Sequence, residues 1–103
     1  MRSEMNSGIP ISGLRAAQTT FDVMANNVAN LATDGFKPSR VELRSIEPRG
    51  GVDVASITQS PDEGVDLATE ITSAVIAKTT YAANARAFRT ENDTLGALFD
   101  ERA

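Results

Sequence analysis

The chain contains no Cys, no His and no Trp among its 103 residues. Without Cys it can form no disulfide, no zinc–thiolate site and no thiol nucleophile. Without His it lacks the commonest general base and the commonest metal ligand. An enzyme built on this chain would need an Asp, Glu, Lys or Ser site, and the sequence shows no convergent set of these residues. We therefore expect no catalysis, no cofactor and no metal.

Charge of either sign is modest, with 10 Lys and Arg against 14 Asp and Glu and a formal net charge of −4. The two signs are interspersed, so no basic patch is present to bind nucleic-acid phosphates or an anionic membrane. No apolar run approaches the roughly 20 residues that span a bilayer. Residues 1–10 lack the apolar centre of a secretory signal. Any export is therefore expected to use a route that needs no such signal.

Aromatic residues are scarce as well, at 5% of the chain, whereas 15 residues are Ala. The apolar share of 41% is ordinary for a globular protein. An apolar set that is rich in Ala and poor in aromatics favours thin seams between helices over a thick core.

A first amphipathic helix is predicted from about residue 12 to about residue 32. Ser12 is a suitable N-cap. Thr33 and Gly35 are assigned to the helix stop and the following turn, because Gly readily takes the left-handed conformation that ends a last turn. Apolar residues at alternating steps of three and four form one heptad stripe, which consists of Leu14, Ala17, Phe21, Met24, Val28 and Leu31.

The centre of the chain, residues 36–64, is predicted to be a β-hairpin connector. Val41 and Leu43 alternate with charged residues, and Val52 and Val54 flank an Asp. The segment between these two runs contains one Pro and two consecutive Gly, which is a strong turn signal.

A second, longer helix is predicted from about residue 65 to about residue 99. Ser60 followed by Pro61 resembles a helix start. Gly64 interrupts that segment, which leaves Asp66 as a second candidate N-cap. Two heptad stripes run along the helix, one of Leu67, Ala74, Tyr81, Phe88 and Leu95, the other of Ile71, Lys78, Ala85, Asn92 and Phe99.

These patterns predict a mainly α fold in which two long amphipathic helices pair as an antiparallel coiled coil, joined by a short β-hairpin. The second helix is roughly 50 Å long and the first roughly 30 Å, so Phe88 and Leu95 should overhang uncovered. Such a pair buries one narrow stripe and is marginal in water. The remaining stripes need further helices, most simply from neighbouring copies. Heptads alone leave a self-contained hairpin or a small homodimer equally open.

Two segments resemble the terminal signatures of the bacterial flagellar axial proteins, the family of rod, hook and hook-associated subunits. Residues 25–37 resemble the N-terminal signature, which reads roughly A-x-N-N-(I/V)-A-N-x-x-T-x-G-(F/Y)-K. Residues 65–70 resemble the V-D-L-x-x-E start of the C-terminal signature, and residues 81–85 resemble its Y-x-A-N-A core. Both signatures occur in the correct order, which makes the resemblance specific.

The resemblance implies a structural subunit of the flagellar basal-body rod, the periplasmic part of the flagellum, that assembles helically through its terminal helices. Family members stack around a central channel and are exported unfolded through the type III apparatus, without a cleaved signal. The implied partners are copies of the chain, other rod or hook subunits and the export apparatus. Only residues 38–64 separate the signatures, where most members carry a larger β-rich domain, so a contribution mainly to an inner tube is expected.

The residues expected at the assembly interface occupy apolar heptad positions or carry amides that suit a helix interface. The amides of the first helix belong to poor helix formers, and with the resemblance they are expected to bond neighbouring helices or subunits and fix register. The full set is Leu14, Phe21, Met24, Asn26, Asn27, Val28, Asn30, Leu31, Leu67, Ile71, Tyr81, Asn84, Phe88 and Leu95.

Several residues, and the function itself, are compatible with two interpretations. Tyr81 and Asn84 lie three residues apart and fit either a subunit interface or a seam within one copy. Lys78 either extends to solvent or pairs with an acidic residue of another chain. The competing function is a soluble helical adaptor or an export-chaperone-like binding module, which would use both stripes on one partner protein.

Overall fold

The computed structural model describes residues 2–102, with side chains described from residue 8 to residue 100. Four elements follow in the order α1 (Arg2–Ala29), β1 (Ser39–Ser45), β2 (Val52–Gln59) and α2 (Leu67–Arg102). The prediction of a mainly α chain with two helices around a β-hairpin is confirmed. The molecule measures 63 × 23 × 14 Å. Within residues 2–102, neither helix combines the length and apolarity needed to cross a membrane.

Helix α1 begins at Arg2, ten residues before the predicted start. Ser12 is therefore not an N-cap. It lies inside α1, where its hydroxyl donates a hydrogen bond to the Ile9 carbonyl (2.6 Å) and accepts one from the Val52 N–H (3.1 Å). Pro10 also lies inside α1 and is buried. Pro normally interrupts a helix because it lacks an N–H and crowds the preceding turn, but packing against the rest of the chain outweighs that local preference here.

Helix α1 ends at Ala29, close to the predicted stop. The Asn30 N–H donates to the carbonyls of Asn26 (3.2 Å) and Asn27 (3.1 Å), which tightens the last turn. Gly35 has a φ of 75°, in the left-handed region, as predicted. The chain then leaves the helix and enters β1.

Strands β1 and β2 pair antiparallel, from Ser39 opposite Gln59 to Ser45 opposite Val52. The turn is closed by hydrogen bonds between Ile46 and the two glycines before β2, at 2.7 and 3.0 Å. The predicted hairpin is confirmed, and both strands extend beyond the alternating residues that indicated them. The hairpin packs against α1.

Helix α2 begins at Leu67 with Asp66 as its N-cap. The Asp66 carboxylate accepts a hydrogen bond from the Ala68 N–H (3.1 Å), which satisfies one of the free amides of the first turn. The alternative start at Ser60 is wrong. The Ser60 hydroxyl instead accepts a hydrogen bond from the Asp62 N–H (3.1 Å) in an isolated turn.

Helix α1 packs against both the hairpin and α2. Asn27 near the end of α1 bonds Glu70 near the start of α2. Gly13, earlier in α1, lies against Asn84, later in α2. The two helices therefore run antiparallel. The buried apolar core of the described side chains consists of three small residues, Ala16, Ala17 and Ala77.

One of the two predicted stripes of α2 is largely exposed in the single copy. Ile71, Lys78, Asn92 and Phe99 are exposed rather than turned toward α1. Positions one residue earlier are buried or half-buried instead, and among them Glu70 bonds α1 through Asn27. These positions are Glu70, Ala77, Asn84 and Glu91.

The predicted overhang is also shorter, because α1 has 28 residues against 36 in α2. Phe88 and Leu95 are half-buried, contrary to the expectation that they would be uncovered. The exposed apolar residues near the end of α2 are Leu98 and Phe99.

Candidate assembly interface

An open groove separates α1 from α2, and none of the residues that line it belongs to the hairpin. Its floor is formed by the buried residues Ala17 and Ala77. Its walls are Phe21 and Tyr81, each of which is 45% exposed. The groove has a volume of about 590 Å³ and is lined by Ala17, Gln18, Phe21, Ala77, Lys78, Tyr81 and Ala82.

An exposed apolar ridge continues from the groove toward the start of α2. It consists of Leu67, Ile71 and Val75, which follow one another at four-residue steps along one side of the helix. The same side carries Lys78 and Ala82 of the groove. Groove and ridge together form a continuous apolar strip along the helix pair. Contiguous exposed apolar surface of this kind is typical of interaction sites.

A buried polar junction joins α1, β1 and α2. Asn27 is 1% exposed. Its amide nitrogen donates to the Ser39 carbonyl (2.9 Å) and to Glu70 Oε1 (3.1 Å), and its Oδ1 accepts from the Ser39 N–H (2.9 Å). Both amide protons and the amide oxygen are therefore used.

Glu70 is the charged member of this junction and is also 1% exposed. Its Oε2 accepts a hydrogen bond from Arg40 Nη1 at 2.9 Å, and the same guanidinium nitrogen donates to the Ser39 carbonyl (3.0 Å). A buried carboxylate is costly unless it is paired. Solvent screens part of the attraction, because the Arg40 side chain is 41% exposed. The junction therefore fixes the register of the two helices, because sliding α1 along α2 would separate the buried Glu70 carboxylate from Asn27.

The first part of the chain is similar to known proteins. Residues 9–37 match the family described as flagella basal body rod protein. The flagellar hook protein FlgE of Escherichia coli is 43% identical over 58 residues, which cover 52% of this chain and 14% of the hook protein. The flagellar basal-body rod protein FlgG of Bacillus subtilis is 50% identical over 36 residues, which cover 35% of this chain and 14% of the rod protein.

This chain is similar to flagellar axial proteins over part of its length, including residues 9–37. It spans 14% of the length of the two axial relatives named above. The family match over residues 9–37 includes Phe21 of the groove and Asn27 of the junction.

The three Asn residues predicted to fix register lie in different surroundings. Asn27 bonds a neighbouring helix, and that helix belongs to the same copy. Asn26 is exposed. The Asn30 amide donates back to the Asn26 carbonyl (2.9 Å), and its oxygen accepts from the Thr33 hydroxyl (3.2 Å). Asn30 therefore helps to end α1 and makes no bond across the seam.

The structure separates Tyr81 from Asn84. Tyr81 lines the groove opposite Phe21. Asn84 lies in the seam, where its amide donates to the Thr80 carbonyl (2.8 Å) and contacts Gly13. A Cβ atom at Gly13 would overlap this amide, so the absence of a side chain permits the close approach of α1 and α2.

The remaining predicted interface residues divide into half-buried and exposed positions. The half-buried positions are Leu14, Met24, Val28, Phe88 and Leu95, and the exposed ones are Leu31, Leu67 and Ile71. Thr33 and Gly35 lie in the exposed turn that follows α1.

Sequence reasoning missed Arg40 and Glu70 as functional residues. Glu70 closes the V-D-L-x-x-E segment, and it precedes Ala77 by one heptad. The available signal was that Glu70 occupies the heptad position that Ala77 and Asn84 occupy further along α2. Arg40 carried none, because its partner is 30 residues away in the sequence.

Proposed function

We propose that this protein is a structural subunit of the flagellar basal-body rod that assembles helically through α1 and α2. The main support for this proposal is the open groove and ridge on a helix pair whose buried apolar core consists of three alanines. Twelve large apolar side chains among residues 8–100 are more than a third exposed. A small chain gains little stability from so thin a core, and helices of neighbouring subunits would cover the apolar strip.

In this proposal α1 and α2 form a coiled coil within the inner tube of the rod. The partners are copies of the chain and other rod or hook subunits, delivered by the type III export apparatus. The short hairpin packs on α1 and adds little bulk outside the helix pair, which supports an inner position. The role is structural, because assembly by burial of apolar surface requires no catalytic step.

The test places a carboxylate in the groove with Phe21→Asp or Tyr81→Asp. Each variant should still be secreted but should be absent from purified basal bodies, and the cells should lose swimming motility, because a carboxylate cannot be buried there unpaired. Ser45→Asp is the control, since Ser45 is exposed at the end of β1 and outside the groove. It should assemble normally.

Two outcomes would contradict the proposal. Basal bodies that never contain the wild-type chain would exclude a rod subunit. Normal incorporation of both groove variants would exclude the groove as the assembly surface. Wild-type chain that binds one partner protein in a fixed ratio and stays outside the basal body would favour the adaptor function.

A further inference from the structure

The exposed end of α2 carries an aromatic side chain next to a carboxylate. Phe99 is 68% exposed, more than any other large apolar side chain among residues 8–100. Asp100 follows it and is exposed. Gly96 lies one turn earlier, and apart from its chain neighbours and the backbone of its own helix no atom lies within 4 Å of the position that a Cβ would occupy. Another helix can therefore approach this turn of α2 closely.

The groove between α1 and α2 has the complementary features. Ala17 and Ala77 form a floor of small side chains, which leaves space for a large one. Phe21 and Tyr81 offer aromatic walls, and aromatic rings pack favourably against one another. Lys78 lies at the groove and is exposed, so it can meet a carboxylate there.

Phe99 cannot enter the groove of its own copy. It lies 21 residues after Lys78 on the same unbroken helix, which corresponds to about 32 Å at 1.5 Å per residue. We propose that the groove receives Phe99 of a second copy, and that Asp100 of that copy pairs with Lys78. This inference rests on the proposed function, and it identifies the residues through which successive subunits would meet.

The two surfaces are different parts of the molecule, so the contact is heterologous. Each copy that donates Phe99 still has an empty groove, and each copy that accepts it still has a free Phe99. Repetition therefore extends an open or ring-shaped assembly rather than completing a dimer with one shared contact. A large side chain that enters a space between small ones is also the packing mode of coiled coils.

Cysteine cross-linking tests the contact directly, because the chain has no Cys of its own. Lys78→Cys protein is mixed with Asp100→Cys protein and oxidised, and the disulfide-linked peptides are identified by mass spectrometry. The matched control mixes Lys78→Cys with Asp62→Cys, which replaces another exposed Asp. The mixed disulfide should form several-fold more with Asp100→Cys. Equal yields would overturn the contact.

A charge exchange provides a second test by sedimentation of the full chain. Lys78→Asp and Asp100→Lys should each lower the self-association constant by roughly two- to ten-fold, and the double variant should recover most of the loss. Lys37→Asp, at an exposed Lys outside the groove, should leave self-association unchanged. Single effects that simply add in the double variant would overturn the ion pair and with it the docking geometry.

The contact and the rod function fail in different ways. If cross-linking and charge exchange both fail while wild-type chain enters basal bodies, the contact is overturned and the rod function stands. If the mixed disulfide forms but wild-type chain is absent from basal bodies, the rod function is overturned and the contact stands. A disulfide from Lys78→Cys to another axial subunit, with none to a second copy, would also overturn the contact.

Discussion

Asn26 and Asn27 are adjacent residues of identical chemistry in opposite surroundings. Asn26 is exposed, whereas Asn27 is buried and makes three hydrogen bonds to Ser39 and Glu70. Removal of the Asn27 amide would take one hydrogen-bond partner each from the Ser39 N–H, the Ser39 carbonyl and Glu70 Oε1, and Glu70 is 1% exposed. A buried polar group without a partner costs more than the net value of the bond that was lost.

Asn27→Ala should therefore lower the free energy of unfolding by about 1–3 kcal/mol. Asn26→Ala, the matched control, should change it by less than about 0.5 kcal/mol. The measurement is the urea dependence of helical circular dichroism under assembling conditions. Equal effects of the two substitutions would mean that the junction does not hold the helices together.

The distinction between these two residues could not be predicted from the local sequence. Both Asn residues belong to the same family-like segment, and heptad spacing alone does not show which of them points into the seam. The rotation of α1 is determined partly by Ser39 and Glu70, which are 12 and 43 residues away from Asn27. A polar role for these Asn residues could be predicted from the sequence, whereas the assignment of that role to Asn27 required the tertiary contacts.

For the helices and strands as well, features set by neighbouring residues could be predicted, whereas features set by distant contacts could not. The hairpin turn and the Asp66 N-cap were predictable, because Pro, Gly and Asp act on their own neighbours. The start of α1 could not be predicted in this way. Ser12 was assigned as the N-cap, but its hydroxyl instead accepts a hydrogen bond from the Val52 N–H at the beginning of β2, and Gly13 admits Asn84 of α2. Those contacts join residues that are distant in the sequence, so no local signal at Ser12 or Gly13 could indicate them.

The residues of α2 that pack against α1 were not predicted, for a related reason. Heptads were identified by large apolar side chains, which favoured Ile71 and Phe99. The seam instead uses Ala77, with Glu70 and Asn84 as polar members. In an Ala-rich helix, small residues allow close approach, and the large ones are left on the outside. Side-chain size alone therefore points toward the exposed apolar strip rather than toward the intramolecular seam.

Gly13 tests how closely α1 and α2 approach. Ala is intrinsically better than Gly inside a helix by up to about 1 kcal/mol, so Gly13→Ala would be stabilising on local grounds. Because its Cβ would overlap the Asn84 amide, we expect the substitution to lower the urea midpoint of helix loss. In an Asn84→Ala background the overlap is removed, and the same substitution should raise the midpoint.

Gly96→Ala is the matched control for that pair of variants. Its Cβ would meet nothing within 4 Å in the single copy, so it should raise the urea midpoint of helix loss in both backgrounds. A Gly13→Ala variant that is stabilised to the same extent as Gly96→Ala would show that the helices are not in close contact at this point.

The whole molecule is long and thin, at 63 × 23 × 14 Å, with a buried apolar core of three alanines among the described side chains. Burial contributes stability in proportion to the apolar area removed from water. Alanine contributes little area, and the larger side chains of the groove and ridge remain accessible. The larger side chains of the groove and ridge would therefore add apolar stabilisation only where another molecule covers them.

This dependence predicts that the dilute chain is weakly helical and rapidly cleaved by proteases, and that helicity and protection rise together with protein concentration. Association stabilises the folded state by mass action, so the thermal midpoint should also increase with concentration. Circular dichroism across a dilution series, with limited proteolysis of the same samples, provides the measurement. Phe21→Asp should abolish the concentration dependence, because a charge at the groove blocks burial of its wall. A fully helical chain with a cooperative midpoint independent of concentration would show that the thin core suffices, and that the exposed strip is not needed to complete the fold.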